Sequence, residues 1–217
     1  MFYPLKKRRF LPIFSLIVFI ILSIMLRFNS TFLTMIDAVV AIIIQTVAAS
    51  KIGFLLVPAY FLKKFWIVWV LSIAWAAFLR TLDFKVGFWW SLACSSILVV
   101  ASWGWSLLTF FYWDDGPVLS QWMPAVASVV WVFLLFQIKQ ALVVRLPVAQ
   151  WVKKTIEVIM VLFWIDLAFA AIVDYDFSSI TLIGAALIGY YYFRLTATVY
   201  IRGGKRLQQF FGVDGKI

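Results

Sequence analysis

Charged side chains inside long apolar stretches are the residues of this sequence that could do chemistry. An ionisable group within a bilayer costs free energy, so each one marks a candidate site. Asp37 and Asp166 each interrupt an apolar run. At ~1.5 Å per helical residue, both lie about 9–12 Å from the same predicted membrane surface. Two such carboxylates could bind a cation or relay protons; the alternative is that they face water or Arg27 on separate helices.

A second set consists of Glu157 and Arg194, in two successive apolar runs joined near Tyr175. Both residues lie roughly 25 Å from that bend, so the matched depth predicts an ion pair across a helical hairpin. The pair could be structural or could act as a gate latch. Gln45, in the same run as Asp37, is a further intramembrane polar residue.

Composition excludes most other chemistry. The 217 residues include no histidine, which removes His-ligated haem, most zinc sites and imidazole acid–base catalysis. The single cysteine, Cys94, allows no intrachain disulfide and no thiolate metal cluster. No nucleophile with a neighbouring base and no phosphate-cradling glycine loop is visible. We therefore predict that the protein is not an enzyme and has no cofactor.

The elements that must position these residues are transmembrane helices. The chain is 65% hydrophobic and 13% charged, with a mean hydropathy of +1.04, which is far more apolar than a soluble domain. We predict an all-α, polytopic transmembrane bundle in which residues 1–217 form a single integral membrane domain. Six spans are expected at about 10–26, 31–50, 86–112, 118–138, 155–173 and 178–200.

The basic residues decide the predicted topology. With six spans and both termini cytoplasmic, 17 of the 19 Lys and Arg fall on the cytoplasmic side, as in a bacterial-type inner (plasma) membrane protein. Residues 52–79, interrupted by Lys63 and Lys64, then form a helical hairpin on the cytoplasmic side, either in-plane or re-entrant. Because the net charge of +10 is spread between apolar runs, no nucleic-acid-binding surface is expected.

Residues 152–189 carry a family resemblance. Lys153 and Lys154 open an apolar span, an Asp- and Ser-containing bend follows at 173–179, and the next helix begins with small residues at Gly184, Ala185 and Gly189. This order resembles the small-conductance mechanosensitive channel family, and it implies a pore-lining role for the small residues. Residues 190–194, Tyr-Tyr-Tyr-Phe-Arg, depart from that pattern, and the sequence has no counterpart of the family's cytoplasmic β-rich domain.

The small residues also have a simpler interpretation, because a glycine and alanine face lets any two helices approach closely. From the resemblance we expect a channel-like protein that conducts small ions in response to membrane tension. The alternative is a non-catalytic accessory or assembly subunit of a larger envelope complex, and a second alternative is a small ion- or proton-coupled transporter. The expected partners are the lipid bilayer and either copies of the chain or other membrane subunits.

Overall fold

The computed structural model describes residues 10–28, 30–111 and 122–211, and these residues form helices and connecting turns without a β-strand. Eight α-helices follow one another: α1 (Phe10–Arg27), α2 (Thr31–Ala48), α3 (Val57–Leu62), α4 (Phe65–Thr81), α5 (Lys85–Phe111), α6 (Val126–Ala141), α7 (Gln150–Val173) and α8 (Ser179–Phe211). Six of them, all except α3 and α4, are long and apolar enough to cross a membrane. The predicted all-α transmembrane bundle is confirmed.

The helix α6 is the centre of the bundle. Val129, Val130 and Phe133 are fully buried there, and α6 packs against α4, α5, α7 and α8. The outer helices α1 and α2 instead expose large side chains such as Phe32 and Ile42. In a chain with this composition, lipid covers such apolar faces.

The helix α8 lies between α6 and α1. A hydrogen bond from Ser15 Oγ to the Leu187 carbonyl (2.6 Å) joins α1 to α8, and Trp105 Nε1 of α5 donates to Ser23 Oγ of α1 (3.0 Å). Short polar contacts of this kind hold helices together in a bilayer, where apolar packing alone gives little preference between neighbours.

Two sharp turns end α4 and α7 in the same way. Asp83 (φ 65°) and Tyr175 (φ 59°) adopt the left-handed conformation, each two residues after the last residue of its helix. In each turn the next residue donates back to the third-last helical carbonyl: Phe84 N to Leu79 O at 3.0 Å, and Asp176 N to Ala171 O at 3.0 Å. This is the Schellman cap, which satisfies helix-end carbonyls. We call the end of the bundle with the α7–α8 turn the bend end, and the end with the α4–α5 turn the basic end.

We call the segment between α2 and α5 the re-entrant hairpin, because it turns back at the bend end and both of its ends lie at the basic end. After α2, a 3-10 helix (Lys51–Leu56) and α3 run back along α7 to the bend end, and α4 then returns to the basic end beside α5 and α6. Trp131 Nε1 of α6 donates to the Leu62 carbonyl near the tip of this hairpin, at the bend end (3.0 Å). Lys63 therefore reaches the bend end, which corrects the prediction that Lys63 and Lys64 lie with the basic residues of the opposite side. The hairpin begins and ends at the basic end, so α5 starts at the same end of the bundle at which α2 finishes.

The bounds of three spans differ from the expected ones by more than two residues, and one of these is α7, which begins at Gln150 and was expected from 155. The fourth spanning helix begins at Val126, whereas the run was expected from 118; residues 118–121 lie outside the described residues. The helix α8 continues to Phe211, beyond the expected end at 200. The basic cluster at 6–9 and the Asp-Asp-Gly-Pro sequence at 114–117 also lie outside the described residues.

Candidate functional site

The structure places Asp37 at the start of α8. Its Oδ1 accepts hydrogen bonds from Ser179 Oγ and from the Ile180 backbone N–H, the latter at 3.1 Å. The first N–H groups of a helix have no partner within the helix, and a carboxylate there satisfies one of them and interacts favourably with the helix dipole. Asp37 thus acts as an inter-helix cap, a role that accounts for a charged residue within α2.

The other predicted polar residues of the membrane region lie apart from this cap. Asp166 is half-buried on α7, and Gln45 is half-buried one turn before the end of α2. Within the described parts of the chain, no group of three or more His, Cys, Asp or Glu side chains could hold a metal ion. The geometry gives Asp37 a partner on α8, and it gives no support to a cation site shared with Asp166.

The small residues of α8 face the inside of the chain. Ala185 is fully buried, and a Cβ placed on Gly189 would lie 2.8 Å from Val132 Cγ1 and 3.2 Å from the Val129 carbonyl of α6. A Cβ placed on Gly184 would meet the end of the Met123 side chain at 2.1 Å. Close approach of α8 to α6 requires glycine at position 189, so the predicted packing face is used within the chain.

Glu157 forms an ion pair with Lys139 of α6, with 3.0 Å between Nζ and Oε2. The sequence predicted Arg194 as its partner. That prediction assumed that α7 and α8 stay side by side after the bend, whereas α8 packs chiefly on α6 and α1. Arg194 is half-buried on α8, one turn beyond Tyr190. Because the cation that pairs with Glu157 comes from α6, its identity depends on packing that sequence spacing does not encode.

A groove separates α7 from α8 below the bend, with α6 as its floor. Its cavity has a volume of about 280 Å³. The Lys139–Glu157 pair closes it at the basic end, and Trp164 lies towards the bend end. The lining residues are Val132, Leu135, Phe136, Lys139, Glu157, Met160, Val161, Trp164, Ala186 and Tyr190. Apart from the ion pair and the polar edges of Trp164 and Tyr190, its walls are apolar.

A second charged cluster lies at the bend end. Lys63 Nζ contacts a carboxylate oxygen of Asp174, Asp176 Oδ2 at 2.6 Å, and the Ala170 carbonyl at 3.2 Å. The Lys63 side chain is only 9% exposed, whereas both aspartates are more than two-fifths exposed. A cavity of about 30 Å³, the size of one water molecule, lies beside this cluster and is also lined by Ser128. We call Lys63, Asp174 and Asp176 the Lys63 cluster.

A buried polar group in the middle of the bundle escaped the sequence analysis. Gln137 of α6 is 1% exposed, and its Oε1 accepts hydrogen bonds from Trp75 Nε1 (3.0 Å) and Ser91 Oγ (2.7 Å). Its Nε2 has no hydrogen-bond partner among the described residues. This side chain joins α4, α5 and α6. Its position in an apolar run, like that of Gln45, is the signal that could have identified it.

Comparisons with known proteins assign no function to these residues. No family model, no curated protein and no solved structure matches the chain. The functional argument therefore depends on the packing and the charged groups described above.

Proposed function

We propose that this protein is a non-catalytic subunit of a larger membrane complex, in a bacterial-type inner membrane with both termini cytoplasmic. The observation that carries this proposal is the packing of the small-residue face of α8 against α6. In a pore formed by copies of this chain, as the family resemblance implies, that face would meet its symmetry mates. Here Gly189 has no space for even a methyl group beside Val132.

The charged groups support the same proposal. Asp37 caps α8, Glu157 pairs with Lys139, and Lys63 pairs with two aspartates. Each of these contacts joins different helices of one chain or the turns between them, which is the use expected of polar groups in a structural bundle. A bundle stabilised in this way presents mainly apolar surface to its surroundings, and such a surface suits contact with lipid and with the helices of other subunits.

A tension-responsive channel is the second candidate, and the re-entrant hairpin favours it. Irregular backbone at membrane depth is tolerated where protein covers it or where it lines a water-filled cavity. The 3-10 helix and α3 form such a segment, and the Lys63 cluster attaches its tip to the α7–α8 bend. A contact of this kind could break when the bundle is stretched.

The test combines two measurements on the full chain. Purified protein is reconstituted into liposomes and patch-clamped up to the lytic tension, with insertion verified by protease protection. In parallel, membranes are extracted with a lipid-retaining polymer, and the mass of the particle that contains the protein is measured. We expect electrically silent bilayers and a particle of discrete mass that other subunits account for.

Tension-activated currents whose threshold changes in the Lys63→Met variant would replace the subunit proposal with the channel. The subunit proposal also fails if the extracted particle contains this chain alone. The matched control for the electrical measurement is Lys85→Gln, a charge change at the basic end that leaves the Lys63 cluster intact.

A further inference from the structure

The groove between α7 and α8 has the shape and the polarity of a site for an amphiphilic molecule. Its apolar walls extend along α6 from Val132 to Lys139, a distance of roughly 10 Å at 1.5 Å per residue. Val161, on the α7 side, is 57% exposed, so the groove opens laterally where lipid surrounds the bundle. A water-soluble ligand would have to cross lipid to enter it, whereas a bilayer lipid is already beside the opening.

The charges at the end of the groove define the headgroup. Lys139 Nζ and Glu157 Oε2 lie 3.0 Å apart, and their side chains are 35% and 38% exposed. Both groups are thus accessible, and together they present one positive and one negative charge at the basic end. A ligand that matches this pair carries an anionic and a cationic group close together, next to an apolar chain.

We propose that this groove binds a zwitterionic phospholipid whose phosphate contacts Lys139 and whose ammonium group contacts Glu157. One acyl chain lies along α6 beside Met160 and Ala186. The phosphate takes the place of the Glu157 carboxylate beside Lys139, and the ammonium group takes the place of the Lys139 side chain beside Glu157. Neither protein charge is therefore left unpaired. A lipid with a phosphate and no ammonium group would bring its negative charge next to Glu157, which disfavours it.

An anionic lipid is the main competing occupant, because other basic residues lie near the end of α7. Lys153 Nζ donates to the Val144 carbonyl at 2.8 Å, so part of its hydrogen-bonding capacity is used in the α6–α7 connection. Lys154 is exposed one turn below Glu157. Neutralisation of Glu157 should weaken the binding of a zwitterionic lipid and strengthen the binding of an anionic lipid. An experiment can therefore distinguish the two occupants.

The test measures lipid retention by native mass spectrometry on the full-length protein, with phosphatidylethanolamine and phosphatidylglycerol added in equal amounts. We expect phosphatidylethanolamine to be retained preferentially, and Glu157→Gln to weaken its binding roughly tenfold, the effect of losing one charged contact. Lys139→Gln should weaken both lipids. The exchange Lys139→Glu with Glu157→Lys keeps the ion pair and should restore binding of phosphatidylethanolamine.

Filling the groove provides an independent test. Ala186→Leu places a larger side chain in the acyl-chain position and should abolish lipid retention. Ala101→Leu, at an exposed position of α5, and Lys85→Gln are the matched controls and should leave retention unchanged. Preferential phosphatidylglycerol binding that Glu157→Gln strengthens, or full retention in Ala186→Leu, overturns the proposal. Circular dichroism and elution volume establish that each variant is folded.

Discussion

At the scale of single residues, the most consequential side chain is Lys63. One ammonium group holds the tip of the re-entrant hairpin to two carboxylates and a helix-end carbonyl. We expect Lys63→Met to lower the free energy of unfolding by about 2 kcal/mol, because it leaves Asp174 and Asp176 as adjacent like charges and removes three hydrogen bonds. Denaturant titration in mixed micelles measures this change.

The triple variant Lys63→Met, Asp174→Asn, Asp176→Asn is the control for that experiment. It removes the charges together, so it should recover at least half of the lost stability. If the triple variant is as unstable as Lys63→Met alone, the loss comes from packing of the lysine stem, and the electrostatic explanation is wrong.

The cap on α8 gives a second prediction at this scale. Asp37→Ala removes the oxygen that accepts from Ser179 and Ile180, and should cost about 1 kcal/mol of stability. Asp37→Asn keeps a side-chain oxygen acceptor and should cost less than half as much. Asp166→Asn, a similar change at a half-buried position of α7, serves as the reference in the same thermal unfolding assay. An equal loss for both substitutions at position 37 would assign the effect to charge.

Sequence reasoning singled out the charged residues of the membrane region, and the structure gives Asp37 and Glu157 other partners than the ones it assigned. A charge in an apolar run is conspicuous, so Asp37 and Glu157 could be selected directly. Their partners lie on helices that are distant in sequence, Ser179 for the first and Lys139 for the second. Gln137 is uncharged and lies close to Lys139 and Gln140 near the end of its run, so the sequence analysis passed over it, although it joins three helices.

At the scale of elements, the contact between α6 and α8 predicts a graded glycine series. Gly189→Ala should cost about 1–3 kcal/mol, because its Cβ would press on Val132 and on a backbone carbonyl that cannot rotate away. Gly184→Ala should be nearly neutral, because the flexible end of Met123 can move. Gly104→Ala meets nothing within 4 Å and should gain up to about 1 kcal/mol of helix propensity.

Thermal unfolding of the three variants in one detergent gives the order. Val132→Ala combined with Gly189→Ala should recover part of the loss, whereas Val132→Ala combined with Gly104→Ala should only add the cost of its own cavity. An order in which Gly104→Ala is the most harmful would mean that α5 carries a contact beyond those of the described residues.

The helices themselves were largely predictable from the sequence, whereas the helices against which each one packs were not. Six long apolar runs are sufficient to predict six spans, because a bilayer requires such lengths. Residues 51–62 are too short an apolar run to cross alone, so hydropathy could not distinguish an in-plane from a re-entrant path. The decisive feature, Lys63 reaching the bend of α7 and α8, is a contact between segments more than a hundred residues apart.

At the scale of the whole molecule, the re-entrant path predicts which surface each turn reaches. In a Cys94→Ala background, single cysteines at Lys64 and Tyr175 should react with an impermeant maleimide from the same side of the membrane. Cysteines at Lys85 and Gln150 should react from the opposite side. An in-plane hairpin would instead give Lys64 the accessibility of Lys85, so this pair of positions distinguishes the two paths.

The Lys63 cluster also constrains the order in which the protein is made. Lys63 leaves the ribosome 111 residues before Asp174. Until that aspartate has been synthesised, the hairpin tip would carry an uncompensated charge into lipid, and α6 and α7, which flank it in the finished bundle, would be absent. Residues 51–62 are therefore expected to wait at the membrane surface while the later helices insert. The movement of this early segment to the bend end is then a late event of biogenesis, which waits for two carboxylates that are synthesised more than a hundred residues after it.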